Sequence, residues 1–169
     1  MAAAWNSYIS IVKELLNTKA NPNIKDISNV TALYATAYNG QLEVVIALFK
    51  NYSSLNASPQ DNNSRTPLHL VCLQGYPTIA KYLLKMKAIE EPDNNSWLLT
   101  HAAAFGGNLG IIKILAKYKG SVNVRINLKK SPLYLACRQG YFKMVKYLLD
   151  KELEKGVDNN RWLPIHDIA

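Results

Sequence analysis

Asp61–Leu70 reads DNNSRTPLHL, and the phrase returns, varied, along the whole chain. DNNSWLLTHA starts at Asp93 and DNNRWLPIHD at Asp158, with looser copies at DISNVTALYA (Asp26–Ala35) and INLKKSPLYL (Ile126–Leu135). One unit recurring every thirty-odd residues predicts a stacked solenoid, in which each unit buries its apolar face on its neighbours, and not a globule around one core.

The register holds column by column. The threonine slot of the phrase is filled by Thr31, Thr66, Leu98, Ser131 and Leu163. Nine residues later stand Gly40, Gly75, Gly107 and Gly140; seventeen later stand Leu48, Leu83, Leu115 and Leu148. The N-terminus enters the same frame, with Ser7, Val12 and Leu15 in the glycine, valine and leucine columns. On this register the chain opens inside the first helix of one unit and stops inside the first helix of another. The units are 1–25 (partial), 26–60, 61–92, 93–125, 126–157 and 158–169 (partial).

Each unit reads as two short helices and a loop. Thr66 is an N-cap whose hydroxyl can accept from a first-turn N–H. Pro67 follows at the position where a missing N–H costs nothing. The helix Pro67–Gln74 ends at Gly75, which can take the left-handed conformation. A second helix, Pro77–Lys85, carries Ile79, Ala80, Leu83 and Leu84 at helical spacing. Helix pairs this short do not stand alone in water, which is why they come as an array.

The pattern resembles the ankyrin repeat family across essentially the whole chain. The resemblance rests on TPLHL, the glycine nine residues on, the LL pair, and KANPN at Lys19–Asn23. It implies an all-α solenoid of antiparallel helix pairs with projecting β-hairpin loops, and binding of other proteins through those fingers and the concave face of the first helices. Three departures stand out. The family often has Gly two residues before the threonine slot; here that column is Asn29, Ser64, Ser96, Lys129 and Arg161. Either the turn avoids a positive φ, or these residues bear the strain of one. Thr31 and Thr66 are 35 residues apart, against 32 or 33 elsewhere, so two extra residues lie within Lys50–Gln60, read as a surface bulge. The third unit has LLTH for TPLH, lacks cap and proline, and is expected to fray.

Repetition also disposes of most catalytic readings. His69, His101 and His166 share one column with Tyr34 and Tyr134, so the slot has a structural job once per unit, hydrogen bonding between adjacent hairpins. Units about 10 Å apart do not gather these histidines around one zinc, whose ligands all lie about 2 Å from it. Cys72 and Cys137 share a column on the first helix's buried side, two units apart, roughly 20 Å. A disulfide needs Cα atoms within about 7 Å, so they read as core thiols of a reducing compartment. No phosphate loop, nucleophile elbow or metalloprotease motif occurs. The reading is no enzyme and no cofactor or metal.

The informative positions are those the fold leaves free. Seven residues after the threonine slot the first helix faces the groove: Trp5, Tyr38, Leu73, Phe105 and Arg138. Just before the slot, on the fingers, stand Val30, Arg65, Trp97, Lys130 and Trp162. Together they predict a groove with an aromatic floor and basic edges, a surface that exposed apolar residues make unfavourable unless covered. Packing of these aromatics on one another, stiffening the array, is the competing reading.

Twenty Lys and Arg against twelve Asp and Glu give a net charge of +8. The expected partner is therefore another protein with acidic and apolar anchors, since charge mainly speeds encounter. Nucleic acid is the weaker alternative: the lysines are dispersed over second helices (Lys81, Lys85, Lys113, Lys117, Lys143, Lys146) and no basic run exceeds Lys129–Lys130. A regulatory arm of a larger enzyme is a further alternative. No apolar run is long enough to span a bilayer, and the N-terminus does not read as a secretory signal. The expectation is a monomeric intracellular protein, a scaffold, adaptor or targeting arm.

Overall fold

The computed structural model describes residues 2–6, 8–119 and 131–153. It contains ten helices and no strand among those residues. They run α1 (Ala2–Trp5), α2 (Ile9–Asn17), α3 (Ala32–Tyr38), α4 (Leu42–Asn51), α5 (Pro67–Gln74), α6 (Pro77–Lys85), α7 (Leu99–Phe105), α8 (Leu109–Lys119), α9 (Pro132–Arg138) and α10 (Phe142–Leu153). Odd and even helices alternate as the first and second members of each pair. First helices pack on first helices in the order α1, α3, α5, α7, α9, and second helices on second ones from α2 to α8. The first-helix row is joined more extensively than the second-helix row. The projecting loops are short turns; the fingers carry no strand among the described residues.

The buried columns are the ones the register predicts. Leu48, Leu83, Leu115 and Leu148 are all buried and belong to one continuous apolar cluster that runs from Val12 to Leu148. Cys72 is fully buried in it, and burial pushes its thiol well above the ordinary thiol range. Cys137 is only half-buried, two units further along the array. Lys81, Lys85, Lys113, Lys117, Lys143 and Lys146 are exposed, as a solvated face requires.

Glycine at the helix end serves two purposes. Gly75 (φ +85°) and Gly107 (φ +74°) close α5 and α7 in the left-handed region. A Cβ on Gly107 would also stand 2.8 Å from the Tyr141 ring of the next unit, and one on Gly75 would overlap the Asn108 amide. The column thus marks where one unit's backbone meets the next unit's side chain.

The missing finger glycine is now explained. Asn29 (φ +60°), Ser64 (φ +58°) and Ser96 (φ +62°) all adopt the left-handed conformation with a side chain in place. Only Asn tolerates it well. Ser64→Gly and Ser96→Gly are therefore expected to stabilise the array by about 0.5–1 kcal/mol each, read as a rise in denaturant midpoint. An unchanged or lower midpoint would show that the serine conformation carries no strain.

The third unit's first helix keeps half of a capping box: His101 Nδ1 accepts from the Leu98 N–H at 3.2 Å, while Leu98 has no acceptor to offer the first turn. Thr100 fills the column of Leu33 and Leu68, buried, with no partner for its hydroxyl among the described residues. Thr66 is the N-cap of α5, and its hydroxyl lies 3.0 Å from His69 Nδ1. At Thr31 and Ser131 the hydroxyl accepts from the Tyr34 and Tyr134 N–H groups. The long loop over Lys50–Gln60 is no loose bulge. Asn23 Oδ1 accepts from the Asn56 N–H at 3.0 Å, and Ser58 Oγ accepts from the Ile89 N–H, tying the loop to the units on both sides.

Candidate functional site

Each of the three described fingers is built by one aspartate. Asp61 Oδ1 accepts from the N–H groups of Asn63 (2.8 Å) and Arg65 (2.9 Å), and the Asp61 N–H donates to the Arg65 carbonyl at 3.1 Å. Asp26 and Asp93 repeat the arrangement with Ser28 and Val30, and with Asn95 and Trp97. A short carboxylate that bonds its own backbone two residues on fixes such a turn. The asparagines that follow join finger to finger. Asn29 Nδ2 donates to Asn62 Oδ1 (2.6 Å), the Asn94 N–H to the Asn63 carbonyl (3.0 Å), and Asn94 Nδ2 to the Asn62 carbonyl (3.2 Å). The DNN of the repeat is legible in the sequence, but its cross-finger role is not, because it depends on the lateral distance between units.

The histidine column reaches the next finger. His69 Nε2 lies 3.1 Å from the Trp97 carbonyl, which can only accept, so Nε2 carries the proton. Nδ1 then accepts from the Thr66 N–H at 3.2 Å. Burial holds His69 below its ordinary pKa of 6.5 despite the bond to Trp97, and the ring is neutral. Tyr34, in the same column, donates its hydroxyl to Asp61 Oδ2 at 2.5 Å. Burial alone would raise the Asp61 carboxyl, but the Tyr34 hydroxyl and the Arg65 and Asn63 bonds outweigh it and hold it below 3.8.

The proposed groove residues fall into three groups. Trp5 and Tyr38, at the ends of α1 and α3, stack edge to face at 5.7 Å and 64°. Trp97 leans on Phe105 at 5.3 Å and 56°. Trp5, Tyr38 and Phe105 remain 38%, 42% and 39% exposed. Arg65, Leu73 and Trp97 line one cleft of about 250 Å³ between the second and third fingers, with Asn63, His69 and Asp93. Arg138 is exposed at the end of α9, away from that cleft. Lys130 and Trp162 lie outside the described residues, as does His166. Val30 is buried at 7% and is no free finger position. Arg65 is no free cation either, because Asp61 Oδ2 accepts from both its Nε (3.0 Å) and its Nη2 (2.9 Å).

Comparison with known proteins agrees with this geometry. A family model described as ankyrin repeats, in three copies, matches residues 1–96 and 86–161. The chain is 30% identical over 142 residues to Tyrosine-protein kinase HTK16 of Hydra vulgaris, covering 80% of this chain and 18% of that protein. It is 30% identical over 153 residues to Ankyrin repeat and KH domain-containing protein mask-1 of Caenorhabditis elegans, covering 88% and 6%. It is 28% identical over 153 residues to Rabankyrin-5 of Mus musculus, covering 88% and 13%. The chain thus spans less than a fifth of the length of these relatives. Ankyrin repeats are a fold that mediates protein–protein interaction. Among the described residues, no helix is long and apolar enough to cross a membrane.

Proposed function

The chain belongs to the ankyrin repeat family, and from that membership we propose that it is a non-enzymatic interaction module, a scaffold, adaptor or targeting arm. It holds a partner protein along the face formed by the first-helix ends and the fingers. The floor is Trp5, Tyr38, Leu73 and Phe105, and the edges are Trp97, Lys130, Arg138 and Trp162, with Arg65 beside them held to Asp61. The observation that carries this reading is the exposure of Trp5, Tyr38 and Phe105 at the ends of the first helices, where paired stacking leaves each residue about two-fifths accessible. Trp, Tyr and Arg dominate interface energies, with central anchors worth about 2 kcal/mol or more each. The net charge of +8 favours an acidic partner. The protein acts inside the cell as a monomer.

The test is a pull-down with wild type and the Trp97→Ala/Phe105→Ala double variant, compared by mass spectrometry. Specific loss of one acidic protein, with the melt close to wild type, supports the reading. Loss of RNA or DNA in its place would favour a phosphate-binding surface with steep salt dependence. A double variant that melts far below wild type would mark the two rings as core and end the reading. The match to a tyrosine-protein kinase favours a second assignment, that the array is the regulatory arm of a larger enzyme.

A further inference from the structure

The second and third fingers have the same backbone but differently satisfied carboxylates. Asp61 Oδ2 takes the Tyr34 hydroxyl and the Arg65 guanidinium. At Asp93 both of those partners are replaced. His69 stands in the tyrosine slot and spends its proton on the Trp97 carbonyl. Trp97 stands in the arginine slot and has no charge to offer. Asp93 Oδ1 still accepts from Asn95 and Trp97, but Oδ2 has no partner among the described residues. Asp93 is nevertheless only 9% exposed, and it lines the cleft. That oxygen is left to solvent, and a ligand cation that reaches it gains a charge-assisted hydrogen bond.

The cleft's lining carries Arg65 and Asp93. Arg65 is paired with Asp61 at 2.9 Å and His69 is neutral, so the three ionised groups sum to one negative charge. So this spot is anionic on a chain whose net charge is +8. Its walls are apolar and aromatic, from Leu73 and Trp97. Its volume, about 250 Å³, falls below that of drug-sized pockets and suits a single side chain. An anion at the base of an aromatic-walled slot is matched by a cation that can lie on the ring face while donating to the carboxylate.

We infer that the cleft between the second and third fingers holds one arginine or lysine side chain of the partner protein, with Asp93 Oδ2 as its counter-ion and the Trp97 indole as its wall. The inference rests on the reading of this face as the binding surface. It adds a cationic anchor to a partner that is otherwise drawn by acidic residues.

The test uses three blocked amino acids at constant ionic strength: N-acetyl-arginine methylamide, its neutral isostere N-acetyl-citrulline methylamide, and N-acetyl-glutamate methylamide. The readout is the Trp97 indole N–H resonance, assigned by its loss in Trp97→Phe. The arginine compound is expected to shift that resonance saturably, and citrulline to bind at least tenfold more weakly. Asp93→Asn retains the Oδ1 acceptor that holds the finger and is expected to weaken the arginine compound at least tenfold while leaving the melt near wild type. Equal binding of arginine and citrulline, undiminished binding in a folded Asp93→Asn variant, or no binding by arginine would overturn the inference. The wild-type comparison decides it even if the variant fails to fold. Binding of glutamate alone would overturn it and leave the groove reading standing, since that reading is judged by the pull-down.

Discussion

Leu83→Ala is expected to cost about 2–5 kcal/mol, through lost transfer energy and the cavity left behind. Leu83 is fully buried in α6, and that helix packs against α4, α5 and α8. A domain's whole stability is about 5–15 kcal/mol, so one truncation removes a large share of it. In an array each unit is held only by its neighbours, and the loss should spread outward from the second unit. Urea melts monitored by far-UV circular dichroism give the magnitude. Hydrogen exchange should show α4 and α8 deprotected together with α6. A melt within experimental error of wild type would mean that α6 does not dock as described.

The second large effect is expected at Asp61. Its carboxylate joins three things at once: the turn of its own finger, the Tyr34 hydroxyl of the preceding unit and the Arg65 guanidinium. Asp61→Ala leaves two turn N–H groups without their acceptor and strands a buried tyrosine hydroxyl, at a cost of about 3–5 kcal/mol. Asp61→Asn keeps the Oδ1 acceptor and with it the turn bonds, but puts an amide donor where Oδ2 accepted from Tyr34 and Arg65, so it should cost less, about 1.5–3 kcal/mol. The pH dependence follows from the depressed carboxyl. The fold prefers the ionised form, so Asp61's contribution is complete above its ordinary value of 3.8 and is lost as pH falls through its lower folded value. Wild type and Asp61→Asn should therefore converge in stability on acidification. Equal cost for Ala and Asn at neutral pH would show that the turn bonds contribute nothing.

Most of the architecture is legible in the residues. The helix Pro67–Gln74 and its partner Pro77–Lys85 have the bounds that proline and glycine dictate. The histidine column proves structural, with His69 bonding the following finger. What the sequence leaves open is decided across units. Ser64 and Ser96 do not announce a left-handed backbone, because the turn's bond network, not the local preference, imposes it. Arg65 reads as a basic edge until its distance to Asp61 is known. Asp61 and Asp93 are identical letters in identical phrases. They differ only through the residue one unit earlier, tyrosine or histidine, and the residue four places on, arginine or tryptophan. That difference is visible in the aligned copies, but the register gives it no meaning without the distances. The half cap of the third unit is missed for a related reason: the sequence assigns histidine to the neighbouring finger, and one of its nitrogens serves its own helix.

The bonds that run from Asn29 to Asn62 and from Asn63 and Asn62 to Asn94 give the array an elastic asymmetry. Hydrogen bonds fail when stretched by a fraction of an ångström beyond their narrow range, whereas apolar side chains slide over one another at little cost. Under tension the finger edge behaves as a cord of fixed length and the second-helix row as a yielding pad. The rod should therefore flex by opening and closing about its fingers, as a book does about its spine.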